Sequence, residues 1–172
     1  MEYFELIKKR YSVRSFTDEP VRKEAIDRIL EASHIAPTGC NFQPQRILVI
    51  NTPEAIEKLR GCTRAHFGAS TAMLVCYNKD ECWTRKYDGE VSGIVDASIV
   101  ATHMMLAAEN EGVGSTWVMH FNPFAMREAF NIPENIVPVA LLVMGYPAPD
   151  AEPHPYHSQF RPMDETVVYN TF

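Results

Sequence analysis

The sequence predicts a single α+β or α/β domain in which helices pack on a central sheet. Apolar runs of strand length are mixed with helical patterns along the whole chain. The length of 172 residues fits one domain and leaves little room for a second. No repeat or low-complexity stretch interrupts the pattern. We therefore expect one domain over residues 1–172.

Five segments have the apolar spacing or the end signals of helices. Thr52 followed by Pro53 is a typical start, and Asn122 followed by Pro123 repeats it. In the longest segment, apolar residues lie widely around the helix, which predicts burial on more than one face. The predicted helices are residues 3–10, 20–35, 52–59, 92–111 and 122–130.

Strands are predicted where short apolar runs are bounded by polar or turn residues. The last run follows residues 147–162, a span that contains five prolines and must be irregular. A strand on such an arm can reach a neighbouring subunit or fold back on its own sheet, and the pattern leaves both open. The predicted strands are residues 46–50, 72–77, 115–119, 139–145 and 166–169.

The charge balance and the hydropathy of the sequence disfavour several classes of function. The chain has 16 Lys and Arg against 22 Asp and Glu, a net charge of −6, without a long block of one sign. This balance disfavours binding to nucleic acid or to anionic membranes. The opening MEYFELIKKR lacks the apolar core of a signal peptide, and no apolar run is long enough to span a bilayer. We expect a cytoplasmic protein.

Motifs for metal, nucleotide and hydrolytic chemistry are weak in this sequence. The four cysteines form no C-x-x-C pair, so reduced and mostly buried thiols are expected. His154 and His157 have the spacing of metal ligands, but the surrounding prolines favour a loop, and we predict no metal site. GVGSTW (112–117) lacks the third glycine of a dinucleotide loop and lies between a helix and a strand in the wrong order.

RYSVRSF (10–16) carries Arg10, Ser12 and Arg14 at every second position, behind the first predicted helix. In an extended segment, alternate side chains point to the same side, so two guanidinium groups and a hydroxyl form one row. Such a row suits a phosphate or another anion. A solvated strand edge protected by charges is the alternative.

A second polar group lies in IAPTGCNFQPQ (35–45), and a third in the turn near residues 118–120. The segment 35–45 has prolines towards both ends, a glycine for unusual dihedral angles, and amide side chains that both donate and accept hydrogen bonds. Such a loop can recognise the edge of a heterocycle. It can equally be a plain helix-to-strand connection.

Taken together and in this order, five segments resemble the flavin-dependent nitroreductase family, in particular its small members. The resemblance spans nearly the whole chain. It implies a three-layer α+β sandwich with a mostly antiparallel sheet, an obligate homodimer with FMN in the subunit interface, and a C-terminal strand exchanged with the partner. The matching segments are KKRYSVRSF (8–16), APTGCNFQPQR (36–46), DASIVATHMMLAAENEGVGSTWV (96–118), FNIPENIVPVALLVMGYP (130–147) and PMDETVVY (162–169).

The resemblance also implies roles for the polar groups. By resemblance, Arg10 and Ser12 bind the phosphate and ribityl side of FMN, and Arg14 lies near N1 and O2 of the flavin ring. A charge there makes the ring a better electron acceptor. The 37–41 loop supplies ring contacts, in part across the subunit interface. The implied residues of these two groups are Arg10, Tyr11, Ser12, Arg14, Pro37, Thr38, Gly39 and Asn41.

Two further elements of the implied site depart from the family pattern. Trp117, Val118 and Met119 match the turn that passes the flavin face and edge, but many small members have glycine at the position of Met119. In the C-terminal phosphate motif the basic residue is Arg161, displaced by one position.

By resemblance the chain is an oxidoreductase that works by a ping-pong cycle. NAD(P)H delivers hydride to flavin N5, and an electron-poor small molecule such as a nitroaromatic or a quinone then takes the electrons. The flavin carries this chemistry, so no catalytic side chain is required. Two alternatives stay open. The first is other flavin chemistry on the same fold, such as reductive dehalogenation or destruction of the flavin, and residues 78–93 are the segment expected to decide between these reactions. The second is a non-catalytic FMN-binding module.

Overall fold

Among residues 2–172, four strands form one antiparallel sheet, across which the first, second, fourth and third strands of the chain follow one another. The computed structural model describes residues 2–172. Both central strands are apolar runs that lie almost wholly buried, because helices cover both faces of the sheet. The strands are β1 (Gln45–Ile50), β2 (Thr71–Asn78), β3 (Gly114–Val118) and β4 (Ile136–Gly145).

The helices begin and end close to the positions that the sequence predicts. Oγ1 of Thr52 accepts a hydrogen bond from the Ala55 amide at 3.3 Å, and Oδ1 of Asn122 accepts two at the start of the next capped helix. One start is wrong: the second helix begins at Lys23, so Pro20 lies before it. The helices are α1 (Tyr3–Lys9), α2 (Lys23–Ile35), α3 (Pro53–Arg60), α4 (Gly93–Asn110), α5 (Pro123–Phe130) and α6 (Met163–Thr166).

Alternate residues of the central strands divide the core into two layers. On β2, Met73 and Val75 pack with α2 and α4, whereas Leu74 and Cys76 pack with α3 and α5. This alternation follows from the two-residue period of a strand. The predicted three-layer arrangement of helix, sheet and helix is confirmed. Among residues 2–172, no helix combines the length and the apolar character needed to cross a bilayer.

Helix α4 is buried along one side only within a single chain. Ala97, Val100 and Met104 face the sheet and are completely buried. Ile94 and Val95 are apolar as well, yet they are 59% and 60% exposed. Residues 2–172 of one chain therefore bury only one face of α4, and not more than one as predicted. A second apolar surface of α4 stays exposed.

The prediction of a strand at residues 166–169 is wrong for the isolated chain. Thr166 ends the short helix α6, and Val167, although extended, forms no bridge with a strand among residues 2–172. Val168 and Tyr169 are exposed. A strand exists only where a neighbouring strand satisfies its backbone groups, and this chain presents none to its own tail.

Burial of Cys76 predicts a loss of stability at alkaline pH. Burial raises the pKa of this thiol from 9.0 to about 12, although the positive charge of Arg127 acts against the shift. Above pH 9.0 the unfolded chain releases the thiol proton, whereas the folded chain keeps it up to a pH of about 12. The unfolding free energy is therefore unaffected by this thiol below the unfolded-state pKa, and it falls as the pH rises towards the folded-state pKa. We expect a fall of up to about 1.4 kcal/mol in unfolding free energy per pH unit.

Urea denaturation of the wild type and of Cys76→Ala at several pH values within this window checks the expectation. The substitution removes the titrating thiol, so its unfolding free energy should fall less steeply with pH than that of the wild type. Equal slopes would show that the thiol has the same pKa in the folded and the unfolded chain, so that burial does not raise it.

Candidate functional site

The RYSVRSF segment is extended and lies against β3 and the end of β4. Ser12 forms a parallel bridge with Ser115, and the Val13 amide donates to the Ser115 carbonyl at 3.1 Å. Further on, Phe16 bridges to Pro147. The sheet thereby fixes the direction in which each side chain of the segment points.

Two glycines make room for this segment. A Cβ atom on Gly114 would meet Cγ2 of Val13 at 2.7 Å, and one on Gly145 would meet Cδ1 of Phe16 at 2.9 Å. Val13 is completely buried in this position. Because Val13 points inward, its neighbours Ser12 and Arg14 point the other way.

The structure brings Arg10, Tyr11, Ser12 and Arg14 together in one cleft of about 290 Å³. The opposite wall belongs to the proline-rich arm that follows β4. Four aromatic or imidazole side chains form it: His154, Tyr156, His157 and Phe160. The three residues that alternate in the sequence therefore line one cleft, together with the intervening Tyr11.

Both arginines of the cleft lack a carboxylate partner. Arg10 approaches only the sulfur of Met105, at 4.0 Å, and Arg14 donates to the Ser12 carbonyl at 3.2 Å. Neither belongs to an ion pair found among residues 2–172. Guanidinium groups make their strongest hydrogen bonds to carboxylates and phosphates, so the cleft is suited to an anion.

Tyr11 joins the two walls of the cleft. Its hydroxyl donates to the Ala151 carbonyl at 3.2 Å, and its ring meets that of His157 edge-on with centroids 6.3 Å apart. Burial, and secondarily the negative charge of Glu109, raise the pKa of Tyr11. The hydroxyl therefore stays protonated and available as a donor at neutral pH.

The C-terminal arm is irregular, as the sequence predicts. His154 and His157 flank and occupy a short 3-10 turn, where His154 caps Tyr156 and Nε2 of His157 lies 3.1 Å from the Lys8 carbonyl. Arg161 follows the cleft residue Phe160, but its side chain is 80% exposed and lies 3.6 Å from a carboxylate oxygen of Glu165. Arg161 does not line the cleft in this structure.

The 37–41 loop contacts the start of α4. The Gly39 amide donates to Oδ1 of Asp96 at 2.8 Å, and Oγ of Ser92 donates to Oδ2 of the same carboxylate at 2.6 Å. Pro37 and Asn41 are exposed. Sequence reasoning missed Asp96. The available signal was a single carboxylate in the first turn of a mostly apolar helix.

A second cleft of about 360 Å³ opens at this junction. One side of it is a hairpin in which Thr84 bridges to Val91 and the Ser92 amide donates to the Trp83 carbonyl at 2.9 Å. Trp83 and Val91 line the cleft together with Gly39. The hairpin lies within residues 78–93, the segment that the sequence analysis singles out.

One chain does not bring the cationic cleft and the 37–41 loop together. Arg10 approaches α4 at Met105, whereas Gly39 is bound to Asp96, nine residues earlier. At a rise of 1.5 Å per residue these two points lie roughly 13 Å apart along the helix axis. A single ligand that contacts both groups within one chain would have to span that distance.

The predicted third group lies at the end of β3. Trp117 is half-buried against the layer of α2 and α4, while Val118 is buried in the opposite layer. Met119 follows the strand and is 71% exposed. The turn after it is anchored, because Oγ1 of Thr63 donates to the His120 carbonyl at 2.6 Å.

The sequence and the fold match known proteins over most of the chain. A model described as the nitroreductase family matches residues 7–67 and 62–146. A crystal structure of a nitroreductase family protein from Clostridium difficile 630 is 43% identical, covers 100% of both chains and has a TM-score of 0.94. A protein of Archaeoglobus fulgidus named as an NADH dehydrogenase/NAD(P)H nitroreductase is 30% identical over 170 residues, or 94% of each chain.

A further crystal structure, named as a nitroreductase in complex with FMN from Desulfovibrio desulfuricans, is 29% identical with a TM-score of 0.78. It covers 98% of this chain and 96% of that one. The family model spans well over half of the sequence, and these likenesses extend over nearly all of it. The chain therefore belongs to the nitroreductase family.

Proposed function

We propose that the chain is an FMN-dependent oxidoreductase that uses NAD(P)H to reduce electron-poor substrates such as nitroaromatics and quinones. The observation that carries the proposal is the cleft with two arginines, a serine hydroxyl and no carboxylate partner. Named relatives support the enzyme class. An FMN reductase [NAD(P)H] of Bacillus subtilis is 30% identical over 80% of this chain and 62% of its own length.

The donors of the cleft fit the tail of FMN. A phosphate monoester carries close to two negative charges at neutral pH and offers several strong acceptor oxygens. Arg10 and Ser12 would donate hydrogen bonds to these oxygens, and Arg14 would place a positive charge towards the ring. Roles for Pro37, Thr38, Gly39, Asn41, Trp117, Val118 and Met119 at the ring, and for Arg161 at the phosphate, belong to the same proposal.

When bound, FMN supplies the hydride and electron transfer from NAD(P)H to the second substrate, in a ping-pong order. The chain itself needs no nucleophile or general base for this reaction. Its side chains bind and orient: Arg10 and Ser12 hold the anionic end, the arm closes one wall of the cleft, and Tyr11 fastens that wall through Ala151.

The active form that we propose is a homodimer with FMN in its interface. Ile94 and Val95 on α4 are apolar and uncovered, as a contact with a second copy requires. A second copy would also bring the 37–41 loop of one chain to the cationic cleft of the other. Residues 167–169, which pair with no strand among residues 2–172, would form the strand exchanged between subunits. The free thiols agree with a cytoplasmic location.

Anaerobic spectroscopy on the protein loaded with FMN tests the proposal. We expect visible flavin absorbance to bleach on addition of NADH or NADPH and to return on addition of a nitroaromatic or a quinone. The loaded protein should sediment at twice the mass of one chain. A colourless protein that does not take up FMN would contradict the cofactor, and a flavin that stays oxidised for many minutes would contradict the reductase activity. Return of absorbance with an iodophenol alone would favour dehalogenation.

A further inference from the structure

The conformation of the 37–41 loop and the residues after it is unusual for the side chains it contains. Cys40, Asn41 and Gln43 have φ angles of 48°, 59° and 51°. Residues other than glycine rarely adopt positive φ, and such conformations persist only where the surroundings hold them. Three of them within four positions mean that this stretch needs strong external fixation.

Hydrogen bonds within residues 38–43 provide part of that fixation, among them those from the Phe42 amide to the Gly39 carbonyl at 3.0 Å and from Nε2 of Gln43 to the Asn41 carbonyl at 3.4 Å. Oγ1 of Thr38 accepts a hydrogen bond from the Gln43 amide at 3.1 Å, and the Asn41 amide donates to the Thr38 carbonyl at 3.0 Å. These bonds join residues of the loop to one another. They shape it but do not attach it to the rest of the protein.

Attachment comes from Asp96 in the first turn of α4. Asp96 is only 2% exposed, and its carboxylate accepts hydrogen bonds from both the Gly39 amide and the Ser92 hydroxyl. The position also suits a negative charge, because the N-terminal end of a helix carries a partial positive charge. A buried carboxylate hydrogen-bonded on both oxygens is a rigid anchor.

Packing around Gly39 makes the anchor specific. A Cβ atom on Gly39 would lie 3.2 Å from Cβ of Trp83 and 3.3 Å from Cβ of Ser92. The loop, the base of the hairpin and the first turn of α4 therefore meet at the carboxylate. A shift of the loop at Gly39 would have to move one of these neighbours.

We propose that Asp96 is a positioning residue that, through the Gly39 amide, holds residues 37–43 in place, with Cys40, Asn41 and Gln43 in the left-handed conformation. The consequence for flavin binding rests on the proposed function: the contacts of this loop with the flavin ring depend on a carboxylate that does not itself touch the ring. Loss of the carboxylate releases the loop towards ordinary backbone angles. Loss of the charge alone leaves the loop in place, because the carboxamide oxygen in Asp96→Asn still accepts a hydrogen bond from the Gly39 amide.

Hydrogen exchange on the full chain without FMN tests the loop, and FMN titration then tests the consequence. In Asp96→Ala we expect the Gly39 amide to exchange about tenfold faster or more, with faster exchange over residues 38–43. The dissociation constant of FMN should rise about tenfold. Asp96→Asn should retain most of the wild-type protection. Thr52→Ala is the matched control, because it removes a capping hydrogen bond from α3, outside the clefts described above.

Each result decides the inference. Faster exchange in Asp96→Ala, rescue by asparagine and unchanged exchange at residues 38–43 in the control support it. Wild-type exchange at these residues in Asp96→Ala overturns it, as does an equal acceleration in Thr52→Ala. If the loop is released but the FMN constant does not change, the role towards the flavin is refuted while the loop anchor stands. If the wild type binds no FMN, the proposed function fails, and the exchange data still decide the anchor.

Discussion

Replacing Arg10 by alanine is expected to weaken FMN binding by about tenfold to a hundredfold. The guanidinium faces the cleft without a carboxylate partner, so the substitution removes a charged donor and leaves no unpaired carboxylate behind. A hydrogen bond to a charged group contributes roughly 1.5–3 kcal/mol, which corresponds to that range of affinity. Quenching of flavin fluorescence on titration gives the dissociation constant, and the variant should purify paler than the wild type but folded.

Arg28→Ala is the control for the loss of a positive charge. Arg28 lies on α2 and pairs with Glu31 at 2.8 Å on the exposed side of the same helix. Its replacement should leave FMN affinity within a factor of two or so, since exposed pairs of this kind contribute little. Equal affinity of Arg10→Ala and the wild type would remove Arg10 from the proposed site.

Replacing Gly114 by alanine is expected to destabilise the fold by about 1–3 kcal/mol and also to weaken FMN binding. The new Cβ would approach Cγ2 of Val13 to 2.7 Å and Cγ of Pro147 to 2.9 Å. Val13 is buried and β-branched, so it has little freedom to turn away. The 10–16 segment would have to move off β3, and the side chains on either side of Val13 would leave their places in the cleft. Denaturant unfolding and FMN titration measure the two effects.

Gly61→Ala is the matched control for this substitution. Gly61 caps α3, is exposed and has a φ of −69°, and its added Cβ would meet only the Lys58 carbonyl, at 3.3 Å. We expect a small change in stability and unchanged FMN affinity. If Gly114→Ala binds FMN as tightly as this control, the docking of the 10–16 segment on β3 is not what shapes the cleft.

Much of the fold could be predicted because its signals are local. The runs of β2 and β4 are apolar throughout, which is typical of strands covered on both faces, and both are central in the sheet. Thr52 and Asn122 are helix caps in the sequence and in the structure, since a cap depends only on its neighbours. The common orientation of Arg10, Ser12 and Arg14 follows from the two-residue period of an extended segment.

The predictions that were wrong or incomplete concern residues whose pairing or burial depends on partners distant in sequence. No local pattern shows that residues 167–169 find no strand to pair with among residues 2–172. The apolar surface around α4 indicates burial but does not say that Ile94 and Val95 remain uncovered in one subunit. Asp96 escaped notice because its partner Gly39 is far away in sequence, and a lone acidic residue in a first turn is common.

The sequence by itself determined most of the secondary structure, the helix-on-sheet class and a row of cationic and hydroxyl side chains that is suited to an anion. These features arise from residue periodicity and from contacts between near neighbours. Only the tertiary structure decided that the aromatic arm after β4 forms the facing wall of the cleft, that Asp96 anchors the 37–41 loop, and that this loop lies away from Arg10 along α4. Such pairings join positions remote in sequence, and the packing of whole elements, not the preference of any one residue, selects them.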